Sequence, residues 1–121
     1  MTPWRQIERL SREGLVVESH SFTHRPLTRL PVAEVYREIL ETGAAIADRT
    51  GRSPVSICYP YGAVDPVVER IAEECGCRLG FATSPAVAAL GDNPFRLPRV
   101  EVAIHDDLTS FRRKLGGAAT G

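Results

Sequence analysis

Two of the three histidines in this chain stand four positions apart, in the stretch Ser-His-Ser-Phe-Thr-His at residues 19–24. They follow an apolar run at residues 15–17, which predicts a short strand covered on both faces. If the chain curls after that strand, His20 and His24 converge and can bind one metal ion. A catalytic zinc site usually has three protein ligands and one open position, so the pair is one ligand short. The spacing alone does not distinguish a metal site from two histidines in ordinary hydrogen bonds.

The size and composition of the chain indicate one folded domain. It has 121 residues, of which 43% are hydrophobic and 25% charged, as is ordinary for a globular protein. Its net charge is zero, so we expect no nucleic-acid partner. No apolar stretch approaches the ~20 residues of a membrane helix, so no membrane span is expected. No signal peptide precedes Trp4 in this chain, which predicts a cytoplasmic location.

Helices and short apolar strands alternate along the sequence, which predicts an α/β fold with a parallel sheet or barrel. Strands are predicted at residues 15–17, 55–59, 79–83 and 100–104. Helices are predicted at residues 4–12, at residues 31–51, after the pair Asp65-Pro66, and after Asp106 or Asp107 as the N-cap.

The helix at residues 31–51 has the clearest apolar periodicity. Its other face carries charges, which we interpret as a solvated surface. These charged residues are Glu34, Arg37, Glu38, Glu41, Asp48 and Arg49.

Several motifs resemble those of the polysaccharide deacetylases of carbohydrate esterase family four, the NodB-homology domain. SHSFTHRPLTRL, from Ser19, resembles the family's second motif, and CYPYG, residues 58–62, resembles its third. TG at residues 50–51 and RLPRVEV at residues 96–102 are similar to further family features. The resemblance covers most of the chain. It implies a single but incomplete deacetylase domain at residues 1–121, with a partial or distorted (β/α) barrel.

The resemblance also implies a function and a set of site residues. The family hydrolyses acetyl groups, mostly through the C–N amide bond, on sugar polymers, so a carbohydrate substrate is expected. His20 and His24 correspond to the histidine ligands of a divalent metal ion, most often zinc. Tyr61 corresponds to the residue whose backbone N–H binds the oxyanion, and Pro60 shapes that turn.

The chain departs from the family pattern at several positions. The Asp-Asp-Gly of the first motif, which supplies the general base and the third metal ligand, stands nowhere before residue 20. Cys58 replaces an arginine found in many members, and Glu18 replaces a glycine. His105 bears a weak likeness to the family's catalytic histidine, but a polar residue before the last helix is the preferred interpretation.

Two functional hypotheses follow from these departures. The first is a metal-dependent deacetylase, whose activity in this chain alone is doubtful without the Asp-Asp motif. The second is an inactive, deacetylase-like remnant that binds a glycan or a protein. Under either hypothesis, an exposed sheet edge predicts self-association as a homo-oligomer. If residues precede Met1 in the whole protein, an envelope location is the alternative to the cytoplasm.

Overall fold

A computed structural model of the chain describes residues 3–83, 88–89, 91–100 and 102–120. The helices are α1 (Trp4–Arg12), α2 (Val32–Thr50), α3 (Pro66–Glu74) and α4 (Leu108–Thr120). The strands are β1 (Ser56–Cys58) and β2 (Leu79–Phe81). Two short 3-10 turns lie at Leu27–Arg29 and Pro60–Gly62.

The strands β1 and β2 pair in parallel and form the centre of a small sheet. Single parallel bridges extend it on both sides, from Ser19 to Ile57 and from Phe81 to Leu97. The carboxyl ends of these four segments therefore lie at one edge, where ligands usually bind in parallel α/β sheets. The predicted alternation of helices and parallel strands is confirmed. The partial barrel stays a prediction, because the described residues form a two-stranded sheet with two bridges.

The first three predicted helices are confirmed, and local signals explain their ends. Gly51 ends α2 in the left-handed conformation, with a φ of 77°, which glycine adopts without a steric penalty. Asp65 caps α3, where its carboxylate accepts a hydrogen bond from the backbone N–H of Val68 at 2.9 Å. Pro31, predicted in the first turn of α2, stands one position earlier, as its N-cap.

The strand predictions at residues 15–17 and 100–104 are wrong for the residues described. Leu15 and Val16 are 57% and 55% exposed, so no neighbouring layer covers them as a buried strand requires. Pairing with β1 occurs at Ser19 instead. Residues 100 and 102–104 lie outside any strand, and β2 pairs with Leu97. A turn ends the extended backbone there, because the N–H of Asp106 donates to the carbonyl of Ala103 at 2.9 Å. Residue 101 lies outside the described part of the chain.

The core lies between the central strands and the helices α2 and α3. Tyr59 is fully buried in it, and its hydroxyl donates to the carbonyl of Phe95 at 2.6 Å. The other core residues are Leu27, Val35, Ile39, Ile57, Val68, Ile71, Ala72 and Cys77. This packing fixes β1 and the turn that follows it. Within the described ranges, no helix is long and apolar enough to cross a membrane.

Candidate functional site

His20 and His24 lie together at the carboxyl edge of the sheet. Their Nε2 atoms are 3.0 Å apart, and their ring centroids are 4.7 Å apart. His20 directly follows the Ser19 bridge to β1, and the chain then curls so that His24 returns toward it. His24 adopts a φ of 60° in this curl, and its N–H donates to the hydroxyl of Ser21 at 3.1 Å. The predicted convergence of the two rings is therefore present.

The hydrogen bond on the other side of His20 determines which ring nitrogen is free. Its Nδ1 lies 2.7 Å from the backbone carbonyl of Cys58. Because a carbonyl oxygen only accepts, Nδ1 of the neutral ring carries the proton and Nε2 keeps its lone pair. A carbonyl or carboxylate partner on the second nitrogen is the usual arrangement of a metal-binding histidine. The lone pair of His20 thus faces His24.

The spacing of the two nitrogens fits a shared metal ion. With metal–nitrogen bonds of about 2.0–2.1 Å, two ligands lie roughly 2.9 Å apart across a right angle and about 3.3 Å apart across a tetrahedral angle. The 3.0 Å between the Nε2 atoms falls in this interval. His20 and His24 would therefore hold such an ion. Their role as metal ligands stays a prediction.

Tyr61 lies beside the histidines in the 3-10 turn after β1. Its ring meets that of His24 edge to face at a centroid distance of 4.8 Å, and the residue is 67% exposed. Tyr61 has a φ of 60°, and Pro60 before it is buried. Within the described residues, the backbone N–H of Tyr61 donates to no acceptor. The turn thus presents one free donor near the imidazoles, and the oxyanion role assigned to Tyr61 and the shaping role of Pro60 stay predictions.

The described residues do not supply a third metal ligand. No group of three or more histidine, cysteine, aspartate or glutamate side chains that could hold a metal ion is found among them. The two adjacent aspartates near the other end of the chain stabilise local structure instead. Asp107 accepts from the N–H of Ser110 at 2.8 Å and caps α4, and Asp106 pairs with Lys114 at 2.5 Å. His105 is exposed, and no ring contact or hydrogen bond joins it to the pair within the described ranges.

Two side chains that the sequence analysis did not assign to the site lie next to it. Arg99 donates from Nη1 to the sulfur of Cys58 at 3.4 Å and from Nε to the carbonyl of Ala82 at 2.8 Å. Glu38 is 3% exposed, so its assignment to the solvated face of α2 is wrong. The histidine loop covers this carboxylate, which accepts hydrogen bonds from the backbone N–H and the hydroxyl of Thr23. Helical periodicity shows which face Glu38 is on but does not show that a loop covers that turn of the helix.

The family profile described as polysaccharide deacetylase matches residues 1–80 of the 121. The chain belongs to the polysaccharide deacetylase family. The matched part contains both histidines and the turn with Tyr61, so the resemblance read from the two motifs is confirmed. It ends within β2, and therefore does not include Arg99.

Individual relatives agree with this assignment. The peptidoglycan-N-acetylglucosamine deacetylase PgdA of Listeria monocytogenes is 43% identical over 70 residues, which are 58% of this chain and 14% of the relative. The Streptococcus pyogenes deacetylase PplD, solved in complex with acetate, has a TM-score of 0.89 at 16% identity, which shows a common fold. The match covers 94% of this chain and 50% of PplD.

IcaB from Ammonifex degensii has a TM-score of 0.77 at 27% identity, over 86% of this chain and 49% of IcaB. This chain therefore spans about half the length of these two solved deacetylases and a smaller share of PgdA.

Proposed function

We propose that this chain forms the metal-binding part of a deacetylase that hydrolyses N-acetyl groups on a carbohydrate polymer. The observation that carries the proposal is the pair of Nε2 atoms 3.0 Å apart, with His20 in the tautomer that a metal ligand requires. The similarity to a peptidoglycan-N-acetylglucosamine deacetylase supports an N-acetylated amino sugar as the substrate class.

His20 and His24 would hold a divalent ion, with zinc as the expected metal, since imidazole nitrogen suits it. Once bound, such an ion polarises the acetyl carbonyl and lowers the pKa of a bound water to about 7. The free N–H of Tyr61 would donate to the oxygen on which negative charge develops. Loss of one such donor typically costs about 2.7–4 kcal/mol in the transition state. Pro60, the buried first residue of this turn, would keep that N–H at the edge of the sheet.

The general base and the third metal ligand are the parts of the proposed machinery that the described residues do not provide. A positioned general base is typically worth 10²–10⁴-fold in rate, so we expect this chain alone to release acetate slowly. Activity at the level of a complete deacetylase requires a carboxylate supplied from another segment or another chain.

Metal binding by the histidine pair is tested by titrating the purified chain, its H20A and H24A variants and an H105A control with Zn²⁺. We expect one ion per chain for the parent and for H105A, because His105 makes no contact with the pair among the described residues. Each pair variant should lose more than about 100-fold in affinity, since even outer-shell partners account for 10–100-fold.

Acetate release from an N-acetylated chito-oligosaccharide is measured on the same four proteins. Slow release that disappears in H20A and H24A supports the deacetylase. Equal zinc affinity in all four proteins would contradict the proposed metal site.

One observation favours a second candidate function, a glycan-binding or protein-binding module without catalysis. It is the lack of a third metal ligand in the described part of the chain. Oligosaccharide binding without bound zinc and without acetate release would support this alternative.

A further inference from the structure

Glu38 is a buried carboxylate whose hydrogen bonds all go to the loop that carries the histidines. It lies on α2, and 4% of its side chain is exposed. Its Oε1 accepts from the backbone N–H of Thr23 at 3.2 Å and also from the Thr23 hydroxyl. Burying a carboxylate is unfavourable unless hydrogen bonds replace those to water. Glu38 is therefore retained inside the protein by its contacts with Thr23.

The histidine loop has a backbone conformation that needs such support. Ser21 and His24 have φ values of 67° and 60°, in the left-handed region that side chains other than glycine rarely adopt. Residues in sparsely populated conformations cost of order 1–3 kcal/mol each and persist only where their surroundings hold them. Thr23, the residue bound by Glu38, directly precedes His24.

The loop is contacted from β1, from within itself and from α2, where Glu38 binds Thr23 and Glu34 pairs with Arg25 at 3.1 Å. His20 is held by the carbonyl of Cys58, and the N–H of His24 is held within the loop by Ser21. Arg25 adds a donor from Nε to the Thr23 hydroxyl at 2.8 Å and lies 3.9 Å from Glu38. The Thr23 hydroxyl thus donates to Glu38 and accepts from Arg25, which fixes its orientation.

We propose that Glu38 is a positioning residue, which holds Thr23 so that the Nε2 atom of His24 faces that of His20. The proposal rests on the proposed metal-binding function for its chemical consequence, but its structural part applies equally to the metal-free chain. Removing the acceptor should let the loop relax from its left-handed conformations and separate the two rings.

The first test compares E38L with E38Q, and uses E41L as the matched control. Leucine removes the acceptor at similar volume, whereas glutamine keeps an Oε1 that can accept from Thr23 without a charge. Glu41 is on the same helix, and its carboxylate pairs with Arg37 at 3.3 Å. Among the described residues, no hydrogen bond or ion pair joins Glu41 to residues 19–25. We expect E38L to lose about 10–100-fold in Zn²⁺ affinity, as for other outer-shell partners. E38Q should stay closer to the parent than to E38L, and E41L should match the parent.

A second variant, T23V, tests the same contact from the loop side. Thr23 is exposed, so removal of its hydroxyl does not create a cavity in the core. We expect a loss of Zn²⁺ affinity that is not additive with that of E38L in the double variant, because both changes break one contact. If E38L does not fold, T23V decides the question.

A measurement on the metal-free proteins tests the positioning role of Glu38 independently of metal binding by the histidines. The rings of His24 and Tyr61 are close enough, at 4.8 Å between centroids, to give nuclear Overhauser effects. We expect these signals in the parent, E38Q and E41L, and their weakening in E38L and T23V. If the parent binds no zinc but shows this pattern, the metal function fails and the positioning role stands. Unchanged signals and unchanged zinc affinity in both E38L and T23V would overturn the proposal.

Discussion

Glu18 holds the segment that leads into the histidines against the start of β1. Its carboxylate accepts hydrogen bonds from the backbone N–H groups of Val55, at 2.8 Å, and Ser56, at 3.3 Å. Hydrogen bonds to charged groups contribute about 1.5–3 kcal/mol each. The glycine that is common at this position in the family has no side chain for this contact. The charged residue beside the candidate ligands therefore has a structural role, which is to fix the register of Ser19 on β1.

The guanidinium of Arg99 lies beside Cys58. Cys58 itself occupies the sequence position at which many deacetylases of the family have an arginine. Arg99 donates to the Cys58 sulfur at 3.4 Å and is held by the carbonyl of Ala82 at 2.8 Å. It reaches this place from the segment that follows the Leu97 bridge. Arg99 thus places a positive charge at the carboxyl edge of the sheet, although the motif at residues 58–62 has no arginine.

Gly62, the last residue of the turn with Tyr61, has no room for a side chain. A methyl group there would lie 2.8 Å from the Cβ of Thr83 and closer still to its hydroxyl, so rotation of Thr83 cannot relieve the contact. We predict that G62A destabilises the fold by about 1–3 kcal/mol more than G51A does. Both glycines have a positive φ, but a methyl group at Gly51 meets open space. The difference between the two losses of stability therefore measures the steric clash with Thr83. Urea unfolding of both variants measures it, and equal free energies of unfolding would refute the close approach.

At the scale of elements, the helices are defined by local signals that a sequence contains. Proline precedes the first turn of α2, glycine follows its last, and Asp65 supplies the N-cap of α3 through a hydrogen bond of 2.9 Å to Val68. The strands have weaker local signals, since each depends on neighbours that are distant in sequence.

We predict that D65A lowers the free energy of unfolding by about 1 kcal/mol, within a range of roughly 0.5–2 kcal/mol, because the N–H of Val68 loses its acceptor. The control is D48A, which removes an aspartate whose side chain is 83% exposed on α2. Substitutions at such exposed positions usually change stability by less than about 0.5 kcal/mol. Chemical denaturation at neutral pH compares the two variants. A D65A loss no larger than that of D48A would show that the cap does not stabilise α3.

The contrast between local signals and contacts distant in sequence explains how much of the fold and of the site the sequence predicts. The histidine spacing predicted the convergence of two rings, because both residues lie within one loop. The apolar run at Leu15 predicted a covered strand, but Leu15 and Val16 are more than half exposed in the described chain. The contacts of Glu38 with Thr23 and of Arg99 with Cys58 join residues 15 and 41 positions apart. Motifs do not encode such pairings, so they became visible only in the three-dimensional structure.

At the scale of the whole molecule, the segments that flank the small sheet are more exposed than its centre. The core residues come from positions 27–77, whereas Leu15 and Val16 on one side and Val102 and Ile104 on the other are more than half exposed. Self-association through the edge near Leu15 stays a prediction. The turn before α4 is joined to the helix by the Asp106–Lys114 ion pair and the Asp107 cap, so we expect this region to respond to pH before the core does.

The ion pair of Lys114 with Asp106 makes the attachment of α4 sensitive to acid. The hydrogen bond from Lys114, with a second from the backbone N–H of Ala103, lowers the pKa of Asp106 to about 2 from 3.8. The hydrogen bond from the N–H of Ser110 lowers the pKa of Asp107 in the same direction. A carboxylate with a lowered pKa stabilises the folded state above its unfolded pKa, and this contribution is lost as the pH falls toward the folded value. The relevant window for Asp106 is therefore about pH 4 to pH 2.

We predict that acid loosens α4 before it unfolds the core, and that D106N removes part of this pH dependence. Amide hydrogen-exchange protection of residues 108–116 is compared with that of core residues Ile57 and Ile71 between pH 6 and pH 2. The parent should lose α4 protection below about pH 4, while D106N should have weaker protection at pH 6 and a smaller change on acidification. Asp107 is present in both proteins, so the difference reports Asp106 alone. D48N, altered on an exposed face of α2, should follow the parent curve. If the curves of D106N and the parent run parallel, Asp106 does not set the acid response, and α4 is held by its apolar contacts instead.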